Sequence, residues 1–363
     1  MHIAFDAKRL FQNNTGLGNY SRSLVKGLQE FYPEHRYTLF APKIVVDEKT
    51  SNFLTPNFQH ITPKNQPAAY WRSVGCAADI RKNSVDIFHG LSHELPFGIK
   101  KSAAKSILTV HDLIFKRYPE QYSIWDRYMH DFKCRYACEN ADKIIAISKS
   151  TKQDIMTFYG VKEQKIEVVY QSCSFIGVNL GKIENTPLIL YVGSIIERKN
   201  LFNLVKAMEL LPKSLDQAVL YIVGGGKNAY RTQIEQYIAA KKLGSRIVFL
   251  QNVSDEDLAA WYQRASVFVY PSVYEGFGIP VIEALFSGTP VITSTQLALT
   301  EAAGEDSLCI DVSKPEVIAD AISIVLNNKD LAEKMSEKGL LYAQRFLPER
   351  VTNELMAVYQ NCI

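Results

Sequence analysis

Glu275 and Glu283 stand eight residues apart in the stretch from Tyr270 to Leu285, which holds Glu275-Gly276-Phe277-Gly278-Ile279-Pro280 at its centre. The pattern reads as a buried strand, a turn broken by Gly276 and Gly278, and a helix whose first residue is Pro280, where a missing N–H costs nothing. Such a turn aims the N–H groups of Gly276 to Ile279 at one spot with a helix dipole behind them, which favours phosphate. Glu275 just before the turn and Glu283 in the first helical turn are expected to face that same place. Carboxylates beside bound phosphate find natural partners in the hydroxyls of a sugar or ribose. A ligand-free strand–turn–helix with an acidic helix start accounts for the same residues, and at this level both readings stand.

Other segments offer complementary chemistry. Arg198 and Lys199 follow the strand-like Leu190-Tyr191-Val192 and would meet an anion, Arg as a planar fork and Lys as a mobile point charge. Gly16-Leu17-Gly18 opens a helix and would let backbone approach a pyrophosphate or sugar. It resembles a dinucleotide fingerprint, but Ser21 replaces the third glycine and no acidic residue closes the second strand, so a nicotinamide cofactor is disfavoured. His111 and Asp112 end another strand, where His111 would hydrogen-bond a substrate hydroxyl and Asp112 would orient it or serve the acceptor side. His89 and His93 read as loop-shaping residues. Ser254-Asp255-Glu256-Asp257 contains a literal Asp-x-Asp, yet its place before an amphipathic run makes Ser254 a helix cap. His130, Cys134 and Cys138 share one helix face and read as a half-buried stripe. No metal is assigned, and no cofactor.

Short β-branched runs alternate with amphipathic stretches throughout. The expected strands are His2–Asp6, Tyr37–Ala41, Val85–His89, Ser106–Val110, Lys143–Ile147 and Ile166–Val169, then Pro187–Val192, Ala218–Val223, Arg246–Leu250, Val267–Tyr270, Pro290–Thr293 and Leu308–Asp311. This rhythm predicts an α/β protein of parallel sheets covered on both faces. It pauses only at Gln171–Pro187, taken as an interdomain linker. Two doubly wound, Rossmann-like domains follow, 1–175 and 186–347, with a terminal helix in 348–363. They are expected to face each other across a cleft, the default place for a ligand.

The 363 residues exceed one ordinary core, and 47% hydrophobic with 22% charged residues is a globular composition. No apolar run approaches the ~20 residues of a membrane span, and no leader-like segment opens the chain. Six scattered cysteines fit a reducing compartment, so a cytoplasmic protein is expected. Residues 1–170 hold 24 Lys and Arg against 17 Asp and Glu, and the remainder 17 against 21. A basic first half suits a pyrophosphate-bearing substrate or peripheral contact with the inner membrane face. It lacks the basic and aromatic density of a nucleic-acid binder.

Taken together, these residues resemble the retaining GT-B glycosyltransferases of family 4, also called group 1, with a mannosyltransferase-like subgroup nearest. The resemblance spans nearly the whole chain. Its most specific piece is Glu275 to Glu283, the family's E-x7-E motif. Gly16 to Gly18, His111-Asp112-Leu113, Arg198-Lys199-Asn200 and Ser287-Gly288-Thr289-Pro290 add support. There are two departures. Ser194 stands where many members carry Arg, and Val169-Tyr170-Gln171-Ser172 replaces a common Val-Tyr-Asn-Gly.

The resemblance implies a GT-B fold with the terminal helix crossing back to the first domain. It implies transfer of a hexose, mannose favoured, from a nucleoside diphosphate sugar such as GDP-mannose or a UDP-sugar. The acceptor would be a glycan or lipid-linked saccharide in the synthesis of a surface polysaccharide such as lipopolysaccharide. Glu283 would hold the ribose, and Phe277, Gly278 and Ile279 would offer N–H groups. Glu275 would contact the sugar, Arg198 and Lys199 would neutralise the diphosphate, the Gly16–Gly18 loop would close over it, and His111 would touch the donor sugar. A GT-B nucleotide-sugar epimerase and a noncatalytic sugar-binding partner of the same fold are the alternatives.

Overall fold

A computed structural model of the chain describes residues 1–173 and 187–363. The chain divides into two compact units, Met1–Ser172 with Phe346–Ile363, and Cys173–Arg345. The linker expected at Gln171–Pro187 falls largely on residues 174–186, outside the described residues.

The first unit is built on seven parallel strands: β1 His2–Asp6, β2 Arg36–Phe40, β3 Phe58–Ile61, β4 Ile87–Gly90, β5 Lys105–Val110, β6 Lys143–Ala146 and β7 Ile166–Val168. Their order is β3-β2-β1-β4-β5-β6-β7. The second unit has six: β8 Leu188–Val192, β9 Val219–Val223, β10 Ile247–Leu250, β11 Val267–Tyr270, β12 Val291–Ser294 and β13 Leu308–Ile310. These run β10-β9-β8-β11-β12-β13. Both sheets are therefore doubly wound, and in each the order reverses beside its first strand. The crevices for ligands lie at the carboxyl ends of β1 and β4, and of β8 and β11.

Strands buried on both faces need apolar residues at every position, not every second one. β1 and β11 obey this, with Ile3, Ala4 and Phe5, and Val267, Phe268 and Val269, all fully buried. β3 was missing from the expected series because Gln59 and His60 interrupt its apolar run. It can afford them because it is the edge strand and only half-buried. The terminal helix Pro348–Gln360 belongs to the first unit. Its Leu355, Met356 and Tyr359 join Leu24, Val25 and Leu28 of helix Gly16–Phe31 in one core.

A buried ion pair braces the carboxyl ends of the first sheet. Arg72 meets Asp6 at the end of β1 at 2.6 Å and Glu94, beyond β4, at 2.5 Å. Burial opposes the Arg72 charge, but the two carboxylates outweigh it and hold the guanidinium protonated.

Candidate active site

In the second unit the loops after β8 and β11 are stitched at one atom. Arg198 and Lys199 lie in the short turn Glu197–Lys199, which ends at Asn200 with φ +56°. Asn tolerates this left-handed backbone better than most residues, and its Nδ2 donates to Val312 O at 2.8 Å, pinning the turn. From the other loop, the Val273 N–H donates to Arg198 O at 3.0 Å, and Ser272 Oγ lies 3.1 Å from the same carbonyl.

This stitching delivers Glu275 onto the cations. Its Oε1 lies 2.6 Å from Lys199 Nζ and 3.1 Å from Arg198 Nη1. The same oxygen accepts from Ser272 Oγ at 2.6 Å and Tyr270 OH at 3.1 Å. Lys199 Nζ also donates to Tyr270 OH, and Arg198 Nη1 to Tyr274 O. All three charged side chains are nearly buried, at 10–13% exposure. Burial alone would push the Glu275 carboxyl up, but Lys199 and Arg198 outweigh it and hold the group below its ordinary value. Burial, with the Glu275 charge beside it, pushes the Tyr270 phenol well up, so the phenol stays a donor. Two cations against one carboxylate leave the carboxyl end of this sheet with a surplus positive charge, suited to a polyanion.

Gly278 begins the following helix, Ile279–Phe286, at φ +133°, and a Cβ there would come within 2.8 Å of Leu299 Cδ2. Pro280 is the second helical residue rather than the first, which moves Glu283 from the first turn into the second. The two carboxylates have different partners. Glu275 joins Arg198 and Lys199, whereas Glu283 accepts from Tyr262 OH at 2.8 Å. No cation offsets its desolvation, and the Glu283 carboxyl is pushed up to about 7. Phe277, Gly278 and Ile279 lie at the helix N-terminus as expected, with Phe277 buried. Ser254 caps helix Asp255–Arg264, its Oγ accepting from the Asp257 N–H at 3.0 Å, so the Asp-x-Asp sequence is a helix start.

In the first unit, helix Gly16–Phe31 starts after Asn13, whose Oδ1 accepts from the Gly18 N–H at 3.0 Å. A Cβ on Gly18 would fall 1.7 Å from Asn13 O, so this glycine is required by the chain's own turn. Gly16 has open space around it. His111 follows β5 and is 3% exposed. Its Nε2 lies 2.8 Å from Leu91 O and its Nδ1 3.2 Å from Gln171 Nε2. Asp112 therefore does not orient the ring, and its Oδ1 accepts from the Ile114 N–H at 3.0 Å. His93 does shape the loop, with Nε2 lying 3.1 Å from both Asp112 O and the His111 backbone nitrogen. His89 instead lies fully buried within β4. Cys134 and Cys138 are buried and His130 is exposed.

Sequence reasoning missed Tyr270, Ser272, Tyr262 and Gln171. Tyr270 and Ser272 flank Pro271 at a strand end beside the motif, which was a usable signal. Tyr262 and Gln171 reach their partners through the fold, across 21 and 60 residues of sequence.

Residues 176–341 match the family profile "Glycosyl transferases group 1", and residues 14–172 match "Glycosyltransferase Family 4". The chain is 26% identical to O-antigen chain mannosyltransferase B of Escherichia coli, over 99% of this chain and 100% of that one. It is 25% identical to O-antigen chain mannosyltransferase RfbU of Salmonella typhimurium, over 79% and 80%. Among solved structures, sucrose-phosphate synthase from Thermosynechococcus elongatus superposes with a TM-score of 0.81 at 22% identity, covering 99% and 98% of the two chains. Anabaena Alr3699/HepE, solved with UDP-glucose, gives 0.74 at 15%, covering 99% and 100%. With two Rossmann-like units of the GT-B type and both family profiles matched in order, the chain belongs to the group 1, family 4 glycosyltransferases.

Proposed function

We propose that this glycosyltransferase moves a hexose, with mannose favoured, from a nucleoside diphosphate sugar to a hydroxyl of a glycan or lipid-linked saccharide, retaining configuration. The observation that carries the reading is Glu275 paired at once with Lys199 and Arg198 at the carboxyl ends of β8 and β11. A diphosphate arriving there competes with Glu275 for the two cations and frees its carboxylate to accept sugar hydroxyls. As the glycosidic bond breaks, its electron pair goes to the leaving phosphate oxygen and positive charge develops on the sugar. Arg198 and Lys199 stabilise the departing charge, each such contact contributing about 2–4 kcal/mol at the transition state. The acceptor oxygen attacks on the same face, and its proton passes to the leaving phosphate. Glu283 takes the ribose hydroxyls, and the N-terminal N–H groups at Phe277 to Ile279 take the sugar or its phosphate. Because Arg198 and Lys199 already meet the diphosphate charge, no metal is needed in this scheme. Mannose and a polysaccharide acceptor are favoured by what the Escherichia coli and Salmonella relatives are named for.

The test is incubation with GDP-mannose and a UDP-sugar panel, first alone and then with saccharide acceptors, with EDTA present throughout. Donor-stabilised melting and acceptor-dependent product with an unchanged anomer are expected. Conversion of the donor to an epimer without acceptor would sink the transferase assignment.

Peripheral membrane contact belongs to the same proposal. Among the described residues no helix is long and apolar enough to cross a membrane. Helix Ile124–Asn140, however, exposes Ile124 (75%), Trp125 (79%), Tyr128 (63%), Met129 (45%) and Phe132 (49%) in its first turns. Aromatic side chains of this kind partition into the interface of a bilayer, and the basic first half favours anionic lipid. Replacing Trp125 and Tyr128 by Ser is expected to weaken flotation with anionic vesicles roughly tenfold, about 1.4 kcal/mol. Equal flotation by the double variant would remove this surface.

A further inference from the structure

Among the described residues, three arginines of the first unit are not exposed, and the chain itself meets two of them. Arg22 donates to Leu10 O, Asn13 O and Asn19 Oδ1, and Arg72 to Asp6 and Glu94. Arg9 is the third. Its side chain makes no hydrogen bond and no ion pair among the described residues, although its Nε is shielded from solvent. A half-buried guanidinium left this way has lost part of its hydration with nothing to offset the loss.

Arg9 lines a cavity of about 150 Å3, about ten times the room one water needs. The walls come from residues that follow three strands: Arg9 after β1, His93 and Glu94 after β4, and Asp112 after β5. This is the crevice where the strand order reverses, the place at which doubly wound sheets take ligands. Lys133 closes one side from helix Ile124–Asn140. Glu94 is taken by Arg72 at 2.5 Å and reached by Lys133 only at 3.4 Å. Asp112 Oδ1 accepts from the Ile114 N–H of its own turn. Burial and then the Arg72 charge hold the Lys8 ammonium below its ordinary value, with Arg9 adding to the effect. Burial likewise pushes the His93 ring down to about 4, so it is neutral beside Arg9. Lys8, Arg9, Arg72 and Lys133 thus stand against Asp6, Glu94 and Asp112, and the unmet charge is that of Arg9. A planar guanidinium with a lysine nearby matches the oxygens of a phosphate group.

The helix that brings Lys133 to the cavity also exposes Trp125, Tyr128 and Phe132. We propose that the cavity is a phosphate site of the first unit, in which Arg9 and Lys133 hold a phosphate group of a lipid-borne acceptor whose lipid stays in the bilayer. The inference rests on the hexosyl-transfer reading above, and gives its acceptor a charged headgroup. In that reading the donor's diphosphate has its own cations, Arg198 and Lys199, so this phosphate belongs to a second molecule.

The test uses two probes, with GDP or UDP present to fill the donor site: inorganic pyrophosphate in solution, and phosphatidylcholine vesicles carrying farnesyl diphosphate. Vesicles brought to the same surface charge with oleate are the carboxylate control. Pyrophosphate is expected to shift the nitrogen-15 resonance of Arg9 Nε, identified by its absence from Arg9→Gln. The wild type should prefer the diphosphate vesicles to the oleate vesicles by about tenfold. Arg9→Gln should erase that preference while leaving oleate binding and GDP or UDP affinity unchanged. Its melting temperature should hold or rise, because the chain loses a cation that nothing offsets. Replacing Trp125 and Tyr128 by Ser should weaken binding to both vesicles and keep the pyrophosphate response, which separates the lipid from the phosphate. An Arg9 resonance unmoved by pyrophosphate overturns the inference, as does a diphosphate preference that survives in Arg9→Gln. Loss of GDP or UDP affinity in Arg9→Gln would make Arg9 a donor ligand and overturn it too. A pyrophosphate response without any preference for the diphosphate vesicles overturns the lipid-borne acceptor. A wild type that shows both responses yet transfers from no nucleotide sugar overturns the transfer reading and not the phosphate site.

Discussion

Glu275→Gln is expected to lower stability by about 3 kcal/mol and transfer by at least a hundredfold. Both effects come from the same atoms. Arg198 and Lys199 are nearly buried, and Glu275 is the carboxylate that offsets their charge. Removing one partner of a buried pair is strongly destabilising because the charge left behind has neither water nor counter-ion. The variant should therefore show a reduced urea midpoint. It should also show a larger gain in melting temperature on adding a nucleoside diphosphate than the wild type does, since the ligand's phosphates supply the missing anion. Turnover falls for a separate reason: in the proposed scheme the carboxylate accepts sugar hydroxyls, and a neutral amide accepts them more weakly. A variant that melts and turns over like the wild type would show that the Glu275 cluster is neither a structural pair nor an active centre.

Donor affinity should rise with pH and level off above about 7. Glu283 is pushed up to about 7 by burial, with only the Tyr262 hydroxyl opposing. Ribose hydroxyls donate to its ionised form, so binding below that value must expel a proton. At pH 6 about one carboxyl in ten is ionised, and the apparent Kd should be roughly tenfold weaker than at pH 8. A nucleotide sugar is the right probe because its diphosphate is a diester and does not itself titrate in this range. Calorimetry in buffers of different ionisation enthalpy should show proton release at pH 6 and none at pH 8. Glu283→Gln should abolish both the release and the slope. Stability follows the opposite sign. Between about 4.5 and 7 the folded chain holds a proton the unfolded chain has lost, so this group's contribution to stability declines as pH rises across that window. A pH-independent donor affinity in the wild type would remove Glu283 from the ribose site.

The doubly wound order was legible because strands such as Phe268 to Tyr270 are apolar at every position and are separated by helix-length amphipathic runs. The edge strand Phe58–Ile61 was not, since half-burial admits Gln59 and His60 and erases the pattern. Ser254 could be placed from sequence because a cap is a local event, satisfied three residues away. The partition of the two glutamates was not local. It depends on Gly278 starting the helix one residue early and on Tyr262 arriving from a helix two elements back. His111 and Asp112 show the same limit. Adjacency in sequence suggested that one orients the other, whereas the ring is held by Leu91 and by Gln171, 60 residues away.

The terminal helix has a consequence for how the protein is made. The first unit is discontinuous in sequence, with its last helix, Pro348–Gln360, arriving only after the whole second unit has been translated. At about 5–20 residues per second the ribosome needs roughly 10–40 s to cover that interval. Throughout it the face of Leu24, Val25 and Leu28 that meets Leu355 and Met356 lacks its cover, and His89 lacks the Tyr359 hydroxyl. The nascent first unit therefore waits with an incomplete core until helix Pro348–Gln360 has been translated, when Leu355 and Met356 cover that face and the Tyr359 hydroxyl reaches His89.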